Sequence, residues 1–173
     1  MADVPILETA RLTLRGHRAD DFAACTAMWA DPVVTRFFGR SFSAEETWSK
    51  LLRYAGLWPL LGFGYWAIEE KATQRFVGEL GFADFQRAMT PPLEAPELGW
   101  VLAADVHGKG YATEAVRAVL AWSEPRFARS VCIIRPDNHV SVRVAEKCGF
   151  HELRRATYKD GSIVVFGRDG RAT

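Results

Sequence analysis

The feature that most constrains the fold is a strand, a glycine-rich turn and an amphipathic helix in direct succession. The strand pattern covers 97–102, and the turn is His107-Gly108-Lys109-Gly110. In the helix that follows, apolar residues recur at i, i+3, i+4, i+7 and i+8, so they share one face. These residues are Ala112, Ala115, Val116, Val119 and Leu120. This pattern indicates a helix that packs on a sheet.

The rest of the chain extends this unit into a mixed α/β (α+β) domain. Further strand patterns cover 11–15, 65–69, 76–82, 130–135, 153–158 and 163–168. The prolines between Arg87 and Pro96 exclude a ladder strand there. We expect a single domain over 1–173 with about seven strands and about four helices, and with short disordered ends at 1–5 and 169–173.

Local signals mark where the helices begin. Asp31-Pro32 pairs an N-cap with a proline at the first helical position, and Ser43 forms a capping box with Glu46. Asn138 caps the last helix, which ends at a glycine. The helix after Ser43 is expected to bury a stripe of four residues. These are Trp48, Leu51, Leu52 and Ala55.

Composition excludes several classes of protein. The formal net charge of +1 argues against a nucleic-acid partner, which normally requires a basic excess. No 18-residue span lacks charge, so we expect no membrane segment, and the start of the chain shows no apolar signal-peptide core. Cys25, Cys132 and Cys148 have no zinc-like spacing, which favours free thiols in a cytoplasmic protein without a metal.

The glycine-rich turn has the chemistry of a phosphate site. Gly108 and Gly110 permit a tight backbone, and the amides from Gly108 to Thr113 lie at the positive end of a helix dipole. Lys109 adds a cation. The spacing is not that of a Walker loop, and Thr113 takes the third glycine position of the dinucleotide pattern. A short glycine pair is a weak signal alone, and an ordinary tight turn remains open.

Asn138 and Ser141 form a second candidate site, after the strand pattern at 130–135. Asn138 is either a plain helix cap or a cap that also binds an extended ligand lying between two strands. Ser141, one turn into the helix, is placed to donate its hydroxyl to the same ligand.

Taken together, the motifs resemble the GNAT superfamily of acyl-CoA N-acyltransferases, in particular its ribosomal-protein N-terminal acetyltransferase (Rim-like) branch. The resemblance covers nearly the whole chain and depends on the order and spacing of the motifs. They are Thr9–Arg15, Asp20-Asp21, Asp31-Pro32, Tyr65–Ile68, Phe76–Gly78, Glu97–Leu102, His107–Ala115 and Asn138–Phe150.

The resemblance implies a mostly antiparallel sheet in which the fourth strand, 97–102, bulges and splays from the fifth. It implies acetyl-CoA as co-substrate, with its pantetheine arm on the backbone of Trp100, Val101 and Leu102. An amide near this point would polarise the thioester carbonyl. The pyrophosphate would lie on the turn residues His107, Gly108, Lys109, Gly110, Tyr111, Ala112 and Thr113. Asn138 would bind the pantetheine end, and Ser141 would lie near the sulfur.

Two positions depart from the family pattern. His107 stands where the glycine loop usually opens with Gln or Arg. Ala145 stands where many members carry a tyrosine that protonates the departing thiolate. Ser141 therefore becomes the candidate for hydrogen bonding to the sulfur, and it is the weaker acid.

For the base that accepts the amine proton, Glu97 at the start of the fourth strand is the first candidate, and Glu79 inside the third strand is the second. A surface position is the alternative for each of these carboxylates. Tyr158 is a further candidate for the acceptor site. Three histidines are more typical of loop or cap positions than of a catalytic base, namely His107, His139 and His151.

Three functions stay open at this point. The first is acetyl transfer to a protein N-terminal α-amine, and the second is transfer to a small-molecule amine such as an amino acid, a polyamine or an aminoglycoside. The third is a non-catalytic acyl-CoA-binding module. A homodimer is also open, because two-fold dimers are the commonest homo-oligomers.

Overall fold

The structure, a computed structural model, describes residues 4–159 and 161–170. Residues 1–3 and 171–173, which belong to the two ends expected to be disordered, lie outside this range, as does Asp160 of the last turn. The other residues of those ends take part in the fold, contrary to expectation. The Pro5 carbonyl accepts a hydrogen bond from Trp66 Nε1 at 2.7 Å, and Asp169 ends a strand.

One sheet of eight strands forms the centre of the domain, in the order β1-β2-β3-β4-β5-β6-β8-β7. The strands are β1 (Leu7–Glu8), β2 (Leu12–Arg15), β3 (Tyr65–Glu70), β4 (Arg75–Ala83), β5 (Glu97–Leu102), β6 (Arg129–Ile134), β7 (His151–Tyr158) and β8 (Gly161–Asp169). Among the described residues, β5 and β6 pair in parallel and the other neighbours pair antiparallel. The mostly antiparallel sheet is confirmed. The additional strand, β1, has two residues and is too short to show a pattern.

Five α-helices are described: α1 (Phe22–Ala30), α2 (Pro32–Thr35), α3 (Ala44–Leu61), α4 (Tyr111–Ser123) and α5 (His139–Lys147). The predicted caps are confirmed. The Asp31 side chain accepts from Val33 N, and Ser43 and Glu46 form their capping box. These local hydrogen bonds satisfy amides that have no partner within the helix.

The buried stripe predicted for α3 is wrong except for Leu51. Trp48 is 38% exposed and Leu52 is 52% exposed. The residues that α3 buries are Thr47, Leu51, Tyr54, Leu57 and Trp58. Tertiary contacts determine this rotation of the helix, because the Tyr54 ring stacks on Tyr65 of β3 at 4.1 Å and Trp58 Nε1 donates to the Tyr65 carbonyl.

The two faces of β5 contact different parts of the molecule. Leu98 and Leu102 belong to the main core, together with the apolar face predicted for α4. Because side chains alternate along a strand, Glu97, Gly99 and Val101 point to the opposite face, where α1 and α3 lie. Val101 packs there against the cluster that contains Trp29 of α1. The sheet therefore separates an α4 side from an α1–α3 side.

β5 and β6 part almost as soon as they meet. A single pair of residues, Glu97 and Val131, joins the two strands. This confirms the predicted splay between the fourth and fifth predicted strands. The predicted bulge in β5 is wrong, because all six of its residues pair with β4 without a shift in register. Irregular pairing occurs instead between Ile68 and Glu69 and between Glu152 and Arg154.

Gly81 in the sheet and Gly56 in α3 differ in how closely other atoms approach them. A Cβ atom at Gly81 would overlap the Gly64 carbonyl of the neighbouring backbone, whereas one at Gly56 in α3 meets nothing within 4 Å. We predict that Gly81→Ala lowers the free energy of unfolding by about 3 kcal/mol, because backbone atoms must move apart. Gly56→Ala should raise it by about 0.5–1 kcal/mol. Urea unfolding of both variants measures the difference, and equal effects would contradict the packing described.

Candidate active site

The parting of β5 and β6 leaves backbone groups of β5 without a strand partner. Pro96 O accepts from Val131 N at 3.1 Å, so its carbonyl points to β6, whereas Ala103 N donates to β4. Since the peptide groups of a strand point alternately to its two neighbours, those of Trp100 and Leu102 face the gap. An extended ligand can pair with them as an added strand would.

His107 closes one end of this strip of backbone. Its Nε2 lies 2.9 Å from the Leu102 carbonyl oxygen, which can only accept a hydrogen bond, so Nε2 carries the hydrogen and donates it in this contact. His107 therefore fixes the end of β5 relative to the glycine turn. This contact leaves the amide nitrogens of the strip available to a ligand.

The glycine turn presents amides at the start of α4. Gly108 and Gly110 have φ values of +78° and +80°, which favour glycine, and a Cβ at Gly108 would enter open space. Glu114 N donates to the Gly110 carbonyl at 3.1 Å, so the amides of 111–113 before it point out of the helix end, whereas Lys109 N donates to Val106 O at 3.4 Å. This cradle has the geometry that binds phosphate oxygens.

The Arg11 side chain anchors the glycine turn to the segment that leads into β2. Its guanidinium donates to the Lys109 carbonyl at 2.9 Å and pairs with Glu114, and it lies over the Tyr111 ring. Burial alone would raise the pKa of Glu114, but the hydrogen bonds from Thr9 and Arg11 hold it below its ordinary value. Glu114 therefore stays ionised and ties the first strands to α4.

An open cleft of about 800 Å³ lies beside this turn. Its lining includes Arg11, Arg117 and Lys147 as well as Gly110 and Thr113. Glu114 also lines the cleft and neutralises Arg11, so Arg117 and Lys147 are the cations left beside the amide cradle.

Asn138 and Ser141 lie at the same end of the sheet as the glycine turn, since α4 and α5 both begin after the carboxyl ends of parallel strands. Asn138 Oδ1 accepts from Ser141 N at 3.2 Å, which confirms the cap. Both side chains are partly exposed. The buried Ala145 contributes no polar group, and the Cys148 side chain packs on α4, where its Sγ lies 3.9 Å from Thr113 O.

Glu97 lies toward the other end of the gap from Ser141, at the vertex where β5 and β6 pair. It is buried and forms a double ion pair with Arg87, at 2.5 Å and 2.7 Å. Arg87 also donates to Tyr158 Oη at 3.1 Å. Glu97 and Tyr158 are thus linked through one guanidinium, on the α1–α3 side of the sheet.

Glu79 is fully enclosed on the same side. Its carboxylate accepts from Trp29 Nε1 at 2.9 Å and lies 3.2 Å from His17 Nε2. The side chain is 2% exposed, so the surface position left open for it is wrong. The other ring nitrogen, His17 Nδ1, is buried and has no hydrogen-bond partner among the described residues.

Lys50 of α3 reaches the same region. Its ammonium lies 4.1 Å from the centre of the Trp29 ring and 4.4 Å from that of Phe42. Burial lowers the pKa of Lys50 to about 8, and the charge of Arg53 adds to the effect.

The structure thus brings the predicted site residues to one gap, with the proposed donor residues toward its open end and Glu97 at its vertex. Sequence reasoning missed four polar residues of the α1–α3 side, namely His17, Lys50, Arg53 and Arg87. They lie in loops or on a helix surface, and no local motif marks them. Among residues 4–159 and 161–170 no group of His, Cys, Asp or Glu side chains suits a metal ion, and no helix has the length and apolarity to span a bilayer.

The sequence matches the model of the acetyltransferase (GNAT) domain over residues 11–151. The chain belongs to the GNAT acetyltransferase family. It is 29% identical over 165 residues to an uncharacterised N-acetyltransferase, YoaA, of Bacillus subtilis, covering 91% of each chain. The family makes the chain an N-acetyltransferase with acetyl-CoA as donor.

Solved GNAT structures share the whole architecture. One from Bordetella pertussis has a TM-score of 0.84 at 26% identity, covering 95% of this chain and 99% of that one. An acetyltransferase from Agrobacterium tumefaciens has a TM-score of 0.83 at 29% identity, covering 96% and 95%.

At 18% identity, two coenzyme A complexes share the fold: the ribosomal L7/L12 acetyltransferase RimL, with a TM-score of 0.77, and the aminoglycoside acetyltransferase AAC(6')-Ib, with 0.72. They cover 98% and 91% of this chain, and 100% and 94% of their own. This fold thus serves both protein and aminoglycoside acceptors.

The low pKa of Lys50 predicts a pH-dependent stability. Below pH 8 the ammonium is charged in the folded and unfolded chains, and its partial desolvation destabilises the fold. We expect Lys50→Met to raise the free energy of unfolding at pH 7 by about 1 kcal/mol, after allowance for solvent screening. Between about 8 and the ordinary value of 10.5 the folded chain releases this proton first, so the advantage of the variant shrinks as the pH rises.

Urea unfolding at pH 7 and pH 10 measures this trend. Lys147→Met on the exposed end of α5 is the control, and it should show no comparable change with pH. A Lys50→Met advantage that grows with pH would contradict the prediction.

Proposed function

We propose that this GNAT enzyme binds acetyl-CoA along β5 and at the glycine turn, and transfers the acetyl group to a primary amine that approaches from the α1–α3 side. The observation that supports this most is the gap between β5 and β6, which joins the amide cradle of α4 to the polar α1–α3 side. Acetyl-CoA supplies an activated acetyl thioester. The amine displaces the thiol, and one proton leaves the amine while one joins the sulfur.

The residues of the donor side fit acetyl-CoA. A Cβ at Gly108 would enter open space, and the main-chain groups of Trp100 and the amide of Leu102 face the gap, while the Leu102 carbonyl accepts from His107. Asn138 would hold the pantetheine end, and Ser141 would donate its hydroxyl to the sulfur. Val101, His107, Lys109, Tyr111 and Ala112 complete the proposed cofactor-binding set, mainly through their backbone.

On the acceptor side, Glu97 remains our candidate for the group that takes the amine proton. The Arg87 guanidinium holds this carboxylate in place at the vertex, with its Nε 2.5 Å from one carboxylate oxygen. An α-amine, with a pKa of about 7.7–8.0, needs only a weak base at neutral pH. Because the attacking nitrogen and the leaving sulfur are bonded to one carbonyl carbon near Ser141, Glu97 at the vertex would take the amine proton through intervening water.

The Rim-like motifs favour a protein N-terminal α-amine as the acceptor. A small-molecule amine is the alternative within the same chemistry. A module that binds acyl-CoA without turnover is the third candidate, and it predicts tight binding with no acetylated product. We propose a cytoplasmic enzyme without a metal, and neither nucleic acid nor a membrane is part of the proposed reaction. A homodimer is compatible with it.

The cofactor assignment is tested with two glycines of the same conformation. Gly108 and Gly39 have φ values of +78° and +81°, and neither would meet another atom through a Cβ. Gly108→Val places a branched side chain in the cradle and should raise the calorimetric Kd for acetyl-CoA at least about tenfold, because charge-assisted hydrogen bonds are lost. Gly39→Val carries the same backbone strain outside the site and should leave Kd unchanged. Equal effects would remove the support for the cradle.

The base assignment is tested by replacing each carboxylate in turn. We expect Glu97→Gln to lower kcat roughly 100-fold. Glu79→Gln should lower kcat far less, because its carboxylate is enclosed by His17 and Trp29. Circular dichroism verifies that both variants fold. A loss of kcat in Glu79→Gln alone would transfer the role to Glu79.

A further inference from the structure

Cationic and aromatic side chains alternate along the α1–α3 side of the sheet, close to the vertex of the gap. The Arg53 guanidinium lies 5.0 Å from the centre of the Phe85 ring, and Arg87 lies 4.9 Å from the same ring. Arg87 then lies 5.0 Å from the Tyr158 ring, and the Lys159 ammonium lies 5.6 Å from it. We call these five residues the cationic ladder. They come from α3, from the loop after β4 and from the end of β7.

The cationic ladder adjoins β5 where the gap begins. Arg87 holds Glu97 at the vertex. The hydroxyl of Tyr65 lies over Gly99, two residues along β5, and would collide with a Cβ there. Tyr54 stacks on Tyr65 with an interplanar angle of 3°, and Arg53 precedes it in α3. The cationic ladder therefore borders the place where an acceptor would meet β5.

The positive charge here exceeds what the described acidic residues neutralise. Arg87 is balanced by Glu97, but Lys50, Arg53 and Lys159 form no ion pair with any carboxylate in residues 4–159 and 161–170. Burial and the charge of Arg53 lower the pKa of Lys50, whereas the charges of Glu79 and Glu46 favour its ammonium.

The acidic groups nearest to Lys50 are already engaged. The buried Glu79 carboxylate contacts His17 and Trp29, and Glu46 pairs with Arg40 at 2.6 Å. Within the part of the chain that the structure describes, Arg53 and Lys159 at the two ends of the cationic ladder have no carboxylate partner, so an anion there would stabilise them. Since Arg53 and Lys159 are exposed, such an anion has access from solvent.

We propose that the acceptor of this enzyme is an amine whose own molecule carries an acidic group, a carboxylate or a phosphate, which the cationic ladder binds while the amine lies near Glu97. This rests on the acetyl transfer proposed above and specifies its substrate class. Polyamines and aminoglycosides are disfavoured, because their additional ammonium groups would face Arg53, Lys50 and Lys159. The acidic group has two sources, an acidic residue beside a polypeptide N-terminus or an acidic small amine.

The test compares acceptors that differ in charge alone. Three peptides share the N-terminal residue and carry Glu-Glu, Gln-Gln or Lys-Lys at the next two positions. Glutamate and glutaminamide form the corresponding small-molecule pair, and an aminoglycoside is the cationic reference. At low ionic strength we expect kcat/KM to be roughly tenfold higher for the acidic member of the productive pair, with the ratio falling as salt is added. Which pair is productive identifies the source.

Arg53→Gln is the informative variant, and Arg126→Gln is its matched control. Both arginines are exposed and lie over an aromatic ring, but Arg126 stacks on Trp122 at 4.2 Å, on the α4 side. Arg53→Gln should lower kcat/KM for the acidic acceptor roughly fivefold and leave the neutral acceptor unchanged. Arg53→Lys should restore most of the loss, and Arg126→Gln should change neither acceptor.

A binding measurement separates this proposal from the proposed reaction. Calorimetry with the coenzyme A complex of the whole chain gives the Kd of each acceptor without turnover. Tighter binding of the acidic acceptor, lost in Arg53→Gln, supports the proposal even if no acetyl group is transferred, in which case the reaction alone is refuted. Equal affinity and equal kcat/KM for acidic and neutral acceptors would overturn the proposal while acetyl transfer stands.

Discussion

The one bridge between Glu97 and Val131 is the constraint on which the rest of the site depends. Were β5 and β6 to pair along their whole length, the backbone of Trp100 and Leu102 would be saturated and no ligand could add to the sheet. All six residues of β5 pair with β4, so only its other edge is free beyond the bridge. The position of the bridge therefore sets where the gap begins.

The sheet also separates two kinds of chemistry. On the α4 side and at the open end of the gap, the groups proposed to bind the donor are mostly main-chain amides, as at Gly108 and Gly110. On the α1–α3 side the groups proposed for the acceptor are charged side chains, such as Glu97, Arg87 and Arg53. Main-chain recognition suits a ligand that all members of a family share, whereas side-chain recognition changes with each sequence. This division explains how one fold serves different acceptors.

Much of the fold could be predicted from sequence because its signals are local. The caps at Asp31, Ser43 and Asn138, the positive-φ glycines of the turn and the bounds of β5 all depend on neighbouring residues. The buried face of α3 could not, because a stacked ring pair across the sheet rotates the helix. The bulge expected in β5 came from the family pattern and is absent from this strand.

The candidate site divides in the same way. The donor residues form contiguous motifs, so the sequence places them together. The acceptor side is assembled from residues far apart in sequence, such as His17 and Glu79 or Arg87 and Tyr158, and contacts across such separations leave no periodic trace. Glu79 appears unusual within a strand, but only the fold shows that it is enclosed.

The contact of Arg11 with the glycine turn has a consequence for the start of the chain. Arg11 opens the segment that leads into β2, and it grips both the Lys109 carbonyl and Glu114. If acetyl-CoA binds this turn as proposed, its binding would also strengthen the attachment of the first two strands, and by thermodynamic reciprocity their detachment would weaken its binding. Cleavage by a protease near Thr9 would then be slower in the cofactor-bound protein than in the free protein.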